Sequence, residues 1–234
     1  MHATDPVQRL KLLLHELQSN PESFASDLDF HSELTDIFTS VRDLHTNYLL
    51  PAPYNGMSAF LPFIVEDCYD EHGACKFVVT RVASGFGDET FVPGVEIAYW
   101  NGMPIARAVR NNAQRYAGSN REARHARGVQ TLTTRALSTT LPPDEEWVIV
   151  GYRTPAGKEL ELRFDWMVNA IPSFGGDSSE ALNPAIASVM GIDIEQHLVQ
   201  RVRASLFAPD KKDAGARVKA KLRRGESLGP LESA

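Results

Sequence analysis

The run Gly94-Val95-Glu96-Ile97-Ala98-Tyr99-Trp100, closed by Asn101-Gly102, limits the possible folds more than any other stretch of the chain. Its side chains alternate, and Asn-Gly supplies two residues that tolerate positive φ, so the segment predicts a strand ending in a tight turn. Pro104 to Tyr116 then reads as a helix. Upstream, Leu61–Val65 and Lys76–Val82 carry strand patterns joined through Asp70-Glu71-His72-Gly73. Downstream, Trp147–Tyr152 and Leu160–Trp166 predict a hairpin around Thr154-Pro155-Ala156-Gly157. Trp100, Trp147 and Trp166 all fall in or beside these strands and read as core or domain-contact residues.

The first fifty residues have a different period. Asp5 can cap a helix, Pro6 suits its first position, and Gln8 can complete a capping box. Val7, Leu10, Leu13, Leu14 and Leu17 follow at helical spacing, and Asn20-Pro21 opens a second helical segment. Leu34, Ile37, Phe38, Val41 and Leu44 form the stripe of a further helix that runs to the Asp43/His45 corner. Such a unit is too small to bury its own stripes. Ser119-Asn120-Arg121-Glu122 reads as a capping box for a helix carrying Arg121, Arg124, His125 and Arg127. That face reads as a solvated one rather than an anion or nucleic-acid site. Asp193 to Phe207 holds another helix, and the remainder, rich in Lys and Arg, reads as a basic linker.

Composition excludes several classes. A net charge of -6 over 234 residues gives no global support for nucleic-acid binding. No apolar run reaches membrane-spanning length. Met1 to Pro6 lacks a basic stretch followed by an apolar one, which suggests a cytoplasmic chain unless it is a piece of a longer one. Cys68 and Cys75 make no disulfide framework. With His72 they offer three ligands, one fewer than zinc normally takes, so neither a metal nor a cofactor is assigned.

The chemistry-bearing stretch is Arg42-Asp43-Leu44-His45-Thr46-Asn47-Tyr48, just before Pro51. A His at an element boundary, two residues after an Asp, can be held in one tautomer and act as a general base. It can equally be a His that satisfies local backbone groups. Asp43 reads as a helix-end or supporting partner, and Thr46 and Asn47 as residues that tie the turn.

The segment Gly94 to Ile105 resembles the Gly-x-x-Ile-x-x-x-Asn-Gly-x-Pro-Ile stretch of PDZ-like domains in bacterial proteases. Together with Asp43-Leu44-His45-Thr46 upstream, the chain resembles the tail-specific, or tricorn-like, serine peptidases over about residues 5 to 170. The resemblance implies an α+β fold: a helical unit over 1–50, then a PDZ-like, partly open β-barrel over 51–170. A helical insertion over 117–140 and a linker-like C-terminal tail over 171–234, with one helix, complete it. In the tricorn-like branch it implies that His45 is the general base for a serine on a peptidase domain that this chain lacks; in branches that use a Ser-Lys pair the histidine has only a structural place. It also implies capture of unfolded or C-terminal peptide segments by strand addition. The candidate groove is the loop Asn55-Gly56-Met57-Ser58-Ala59, whose amides can receive a carboxylate, followed by the strand from Leu61 through Phe63. An ordinary loop leading into a hairpin fits the same residues. Gly175-Gly176-Asp177-Ser178-Ser179-Glu180 imitates a nucleophile segment but arrives without a supporting sheet, and reads as a linker. The other class of function is a stand-alone peptide-binding adaptor with no catalytic role.

Overall fold

A computed structural model describes residues 4–83, 85–171, 191 and 193–207. Helix α1 (Pro6–Ser19) starts as its sequence predicts: Asp5 Oδ1 accepts the Gln8 amide at 2.8 Å. A single 3₁₀ turn at Pro21–Ser23 follows, and α2 (Asp27–Ser40) starts at Ser26, whose hydroxyl accepts from the Asp29 amide. The sequence pattern carried this helix through to His45. The helix instead stops at Ser40, because Val41 caps it and Arg42 turns left-handed at φ 62°. The Arg42 guanidinium then donates to the Tyr116 carbonyl at 3.1 Å, fixing the reversal against the rest of the protein.

The remaining elements are β1 (Met57–Phe60), β2 (Phe63–Tyr69), β3 (Cys75–Val82), β4 (Glu96–Trp100), β5 (Met103–Pro104), α3 (Ile105–Ala113), α4 (Arg121–Gln130), β6 (Thr134–Ala136), β7 (Trp147–Arg153), β8 (Glu159–Asp165), β9 (Met167–Ala170) and α5 (Ile194–Phe207). The larger sheet runs β2-β3-β4-β7-β8, with β5 on β4, and the smaller runs β6-β1-β9. Every pairing is antiparallel, and neither sheet closes. The fold is α+β with open sheets, and among the described residues no strand pairs with the outer edge of β2.

The Asn-Gly turn forms as predicted. Asn101 sits at φ 49° and Gly102 at φ 73°, placing Trp100 opposite Met103. Asn101 adds a second function, since its side-chain oxygen accepts the Ile149 amide at 2.7 Å and its own amide donates to the Ile149 carbonyl. The turn therefore locks β7 to the end of β4. Beneath it, Phe63, Phe91 and Phe164 meet with ring centroids 4.7–4.9 Å apart, each contact worth about 1 kcal/mol beyond burial.

Four short strands escaped the sequence reading, β5 at Met103–Pro104 among them. β1 replaces the expected loop at Met57–Ala59, β6 lies within the stretch expected to be a helical insertion, and β9 follows the predicted hairpin directly. Strands of two to four residues show no readable alternation. The cap of α4 is also one residue later than expected: Asn120, not Ser119, accepts the Ala123 amide at 2.7 Å.

Helices α3 and α4 touch at Gly128, where a Cβ would stand 2.6 Å from the Val109 carbonyl oxygen and 2.8 Å from the Ala113 Cβ. The first of these is backbone and cannot swing away. Gly128→Ala gains about 1 kcal/mol of helix propensity but forces the helices apart. A net loss of about 1–2 kcal/mol in urea unfolding is expected.

Candidate functional site

The left-handed turn at Arg42 aims the Asp43 carboxylate back over the residues that follow. It accepts the His45 amide at 3.1 Å and the Thr46 hydroxyl at 2.6 Å, and it lies 3.2 Å from His45 Nδ1. Asn47 ties the same corner by donating to the Leu44 carbonyl at 2.9 Å. Four residues singled out in the sequence thus form one hydrogen-bonded turn. The Thr46 hydroxyl and then the His45 amide hold the Asp43 carboxyl below its ordinary pKa. A carboxylate at Nδ1 orients an imidazole so that Nε2 can take a proton. The chain at Gly191, itself at φ 70°, passes on the Nε2 side, where a Cβ would lie 4.0 Å from that nitrogen.

Behind this corner lies a charged cluster that the sequence reading missed. Arg127 is buried and pairs with Asp193 and, at 3.2 Å, with Glu195. Glu195 also accepts the Thr140 hydroxyl at 3.1 Å. Thr46, Asn47, Tyr116 and Glu195 line a crevice of about 20 Å³ between the corner and α5, room for one water. Arg127 was expected on a solvated face; the packing of α5 over β6 and the end of α4 buries it instead. Burial pushes the Glu195 carboxyl up to about 7, against the pull of Arg127 and the Thr140 hydroxyl.

The expected peptide-binding residues are placed less favourably. The Asn55 amide donates to the Pro51 carbonyl, the Gly56 amide to the Ser138 hydroxyl, and the Met57 amide to the Tyr54 carbonyl. Ser58 and Ala59 are buried in β1, which is paired on both sides. The segment 55–59 is therefore turn and central strand, not an open carboxylate loop. Leu61 and Phe63 are wholly buried, with Phe63 in the aromatic cluster. The exposed part of β2 lies further along, from Glu66 to Tyr69, beside α4.

At that end His125 of α4 reaches Asp67 of β2 at 3.0 Å. Cys68 and Cys75 are free thiols, so no cross-strand disulfide forms, and His72 sits at the hairpin tip near Glu71. Gly175 to Glu180 and the basic tail from Pro209 lie outside the described residues.

The family relationship agrees with this arrangement. Residues 57–173, half of the chain, match the family model of the PDZ domain, and the chain belongs to that family. The match spans 117–140, the stretch that holds α4 and β6. Among solved structures the chain is similar to mature CPAF, with a TM-score of 0.53 at 22% identity, over 70% of this chain and 29% of that one. Mature CPAF complexed with lactacystin is similar at TM-score 0.51 and 18% identity, over 89% of this chain and 33% of that one. The chain thus shares its fold with part of CPAF and spans about a third of its length. No curated protein sequence matches it. Among the described residues no helix is long and apolar enough to cross a membrane.

Two tests follow from the geometry. A carboxyl held below its unfolded value adds stability that is complete above about pH 3.9 and disappears as pH falls through the lower folded value. The amides of His45 and Thr46 should accordingly move together below about pH 4 as the Asp43 carboxylate takes up its proton, and Asp43→Asn should abolish that transition. Glu195 has the opposite sign. Its folded value of about 7 lies above its unfolded one, so its contribution weakens as pH rises towards about 7 and is level above. Arg127→Met leaves two carboxylates without their cation. It should weaken α5 docking by about 3–5 kcal/mol at alkaline pH, and by less in mild acid, where Glu195 takes up a proton. Hydrogen exchange across Ile194–Phe207 measures both values.

Proposed function

We propose that this chain is the peptide-capturing, non-catalytic portion of a serine peptidase. In this reading the PDZ domain takes unstructured or C-terminal peptide segments onto the open edge of β2, and the Asp43–His45 corner presents a general base to a serine on another domain. The observation that carries it is the pairing, within one chain, of an unpaired β2 edge beside α4 with a carboxylate-oriented histidine. Membership in the PDZ-domain family supports peptide recognition, because an extended segment adds to such an edge through backbone hydrogen bonds. The shared fold with part of CPAF supports a place beside a larger catalytic body. The sequence resemblance to tail-specific peptidases supplies the reaction.

In that reaction His45 takes the proton from the serine hydroxyl as the oxygen attacks the scissile carbonyl, then returns it to the leaving amine. Asp43 holds the ring in the tautomer that leaves Nε2 basic and offsets the charge on the imidazolium. Asn55–Ala59 and the side chains of Leu61 and Phe63 serve as the frame that sets the start of β2, while Glu66 to Tyr69 and α4 border the groove.

Fluorogenic unstructured peptides with free or amidated C-termini test the reading. Expected are binding that shifts the amide resonances of β2 and α4, at least tenfold weaker affinity for amidated peptides (about 1.4 kcal/mol), and no hydrolysis by this chain alone. Binding elsewhere, or none, overturns the capture role. In the intact peptidase His45→Ala should abolish cleavage and leave capture unchanged; unchanged cleavage would make the corner structural and favour a stand-alone adaptor.

A further inference from the structure

The face of the β2–β3 hairpin that looks towards α4 carries a donor set to which peptide capture assigns no chemistry. In the antiparallel register Asp67 pairs with Phe77 and Tyr69 with Cys75, so alternation sets all four side chains on one face. His125, in the middle of α4, lies over that face, with its ring 6.3 Å from Phe77. One ligand atom each from Asp67, Cys75 and His125 falls within 4.8 Å of the others, and His125 Nε2 stands 3.0 Å from Asp67 Oδ2. Donors around a tetrahedral zinc ion stand roughly 3.3–3.8 Å apart, so movements of about 1 Å close the set.

We propose that Asp67, Cys75 and His125 bind a divalent transition metal, Zn²⁺ by donor type, which clamps α4 to the β2–β3 hairpin. Thiolate, imidazole and carboxylate from three different elements give the three protein ligands of an open zinc site. The metal takes the position of the proton that now bridges His125 and Asp67, the imidazole keeping its N–H on Nδ1 and any further proton passing to solvent, and the Cys75 thiol releases its proton to solvent. Thiolate and carboxylate together cancel the charge of the dication. Arg110, Arg121 and Arg124, which line the same cavity, therefore face a neutral site rather than a bare cation. That cavity, about 460 Å³, leaves room for a fourth ligand, a water or an incoming carboxylate. His72, to which the sequence spacing pointed, is 82% exposed beside Glu71 and takes no part.

The site stands apart from the capture reading, because a metal can bind whether or not a peptide does. Cobalt(II) titration of the full chain is the test. Expected are a thiolate-to-cobalt charge-transfer band in the near ultraviolet and visible d–d bands of tetrahedral intensity, both erased by Zn²⁺. Cys75→Ser should remove the charge-transfer band, and His125→Asn should weaken cobalt binding at least about tenfold. Cys68→Ser and His72→Asn should change neither. As a check on folding, Zn²⁺ should raise the Tm of the unaltered chain but not of Cys75→Ser, while the metal-free forms melt together. Absence of the thiolate band overturns the assignment. So does a band that survives Cys75→Ser, or cobalt affinity that falls with His72→Asn but not with His125→Asn.

Discussion

The approach of α3 to α4 fixes most of what surrounds it. Gly128 lets the two helices touch backbone to side chain, and Asn112 on α3 clamps the contact by donating to the Gly128 carbonyl at 2.8 Å and the Thr131 hydroxyl at 3.0 Å. Both acceptors are buried; losing the amide would leave the Gly128 carbonyl without this donor at a cost of about 1–3 kcal/mol, while the Thr131 hydroxyl keeps its bond to the Arg127 carbonyl. From that contact α4 gains its position beside β2. Its two halves then meet different partners: His125 meets Asp67 on the sheet, and Arg127 meets the carboxylates that open α5. A helix pair held at ordinary separation would move both sets together.

The second constraint is the order of turns in the N-terminal part. Where α2 ends decides whether Asp43 points along a helix or back over His45. Arg42 makes that choice by taking a left-handed conformation, and its bond to Tyr116 ties the choice to the PDZ domain. The geometry of the histidine is therefore linked to the PDZ domain.

Legibility in the sequence followed the strength of local signals. The capped start of α1, the Asn101-Gly102 turn and the β7–β8 hairpin were readable because cap, turn and alternation each leave a residue-level mark. The Asp43–Asn47 corner was readable as a cluster, since the residues lie within bond-forming distance along the chain. β1, β6 and β9 were not, because a strand of three or four residues is defined by its partners. The stretch 117–140 looked wholly helical for the same reason: its strand has meaning only once β1 is beside it. Arg127 and Glu195 are 68 residues apart, and nothing along the chain announces their pairing. His72 drew attention through spacing alone, whereas His125 reached the cysteine hairpin through the fold.

The open edge of β2 also has a bearing on solubility. A strand that can accept one extended segment can accept another copy of itself, and such edges seed aggregation unless they are blunted. Here the strand begins just after Pro62, which offers no amide, and its partner β3 carries an extra residue, Thr80, where the register shifts opposite Ile64 and Val65, a bulge that twists the hairpin. Glu66 follows as an exposed charge. Two copies laid edge to edge in antiparallel register would have to align two twists and two like charges at once. A flexible segment of an unfolded chain bears neither constraint. Under the capture proposal the edge is thus selective by shape before any side chain is read, tolerating pliant partners and rejecting rigid ones like itself.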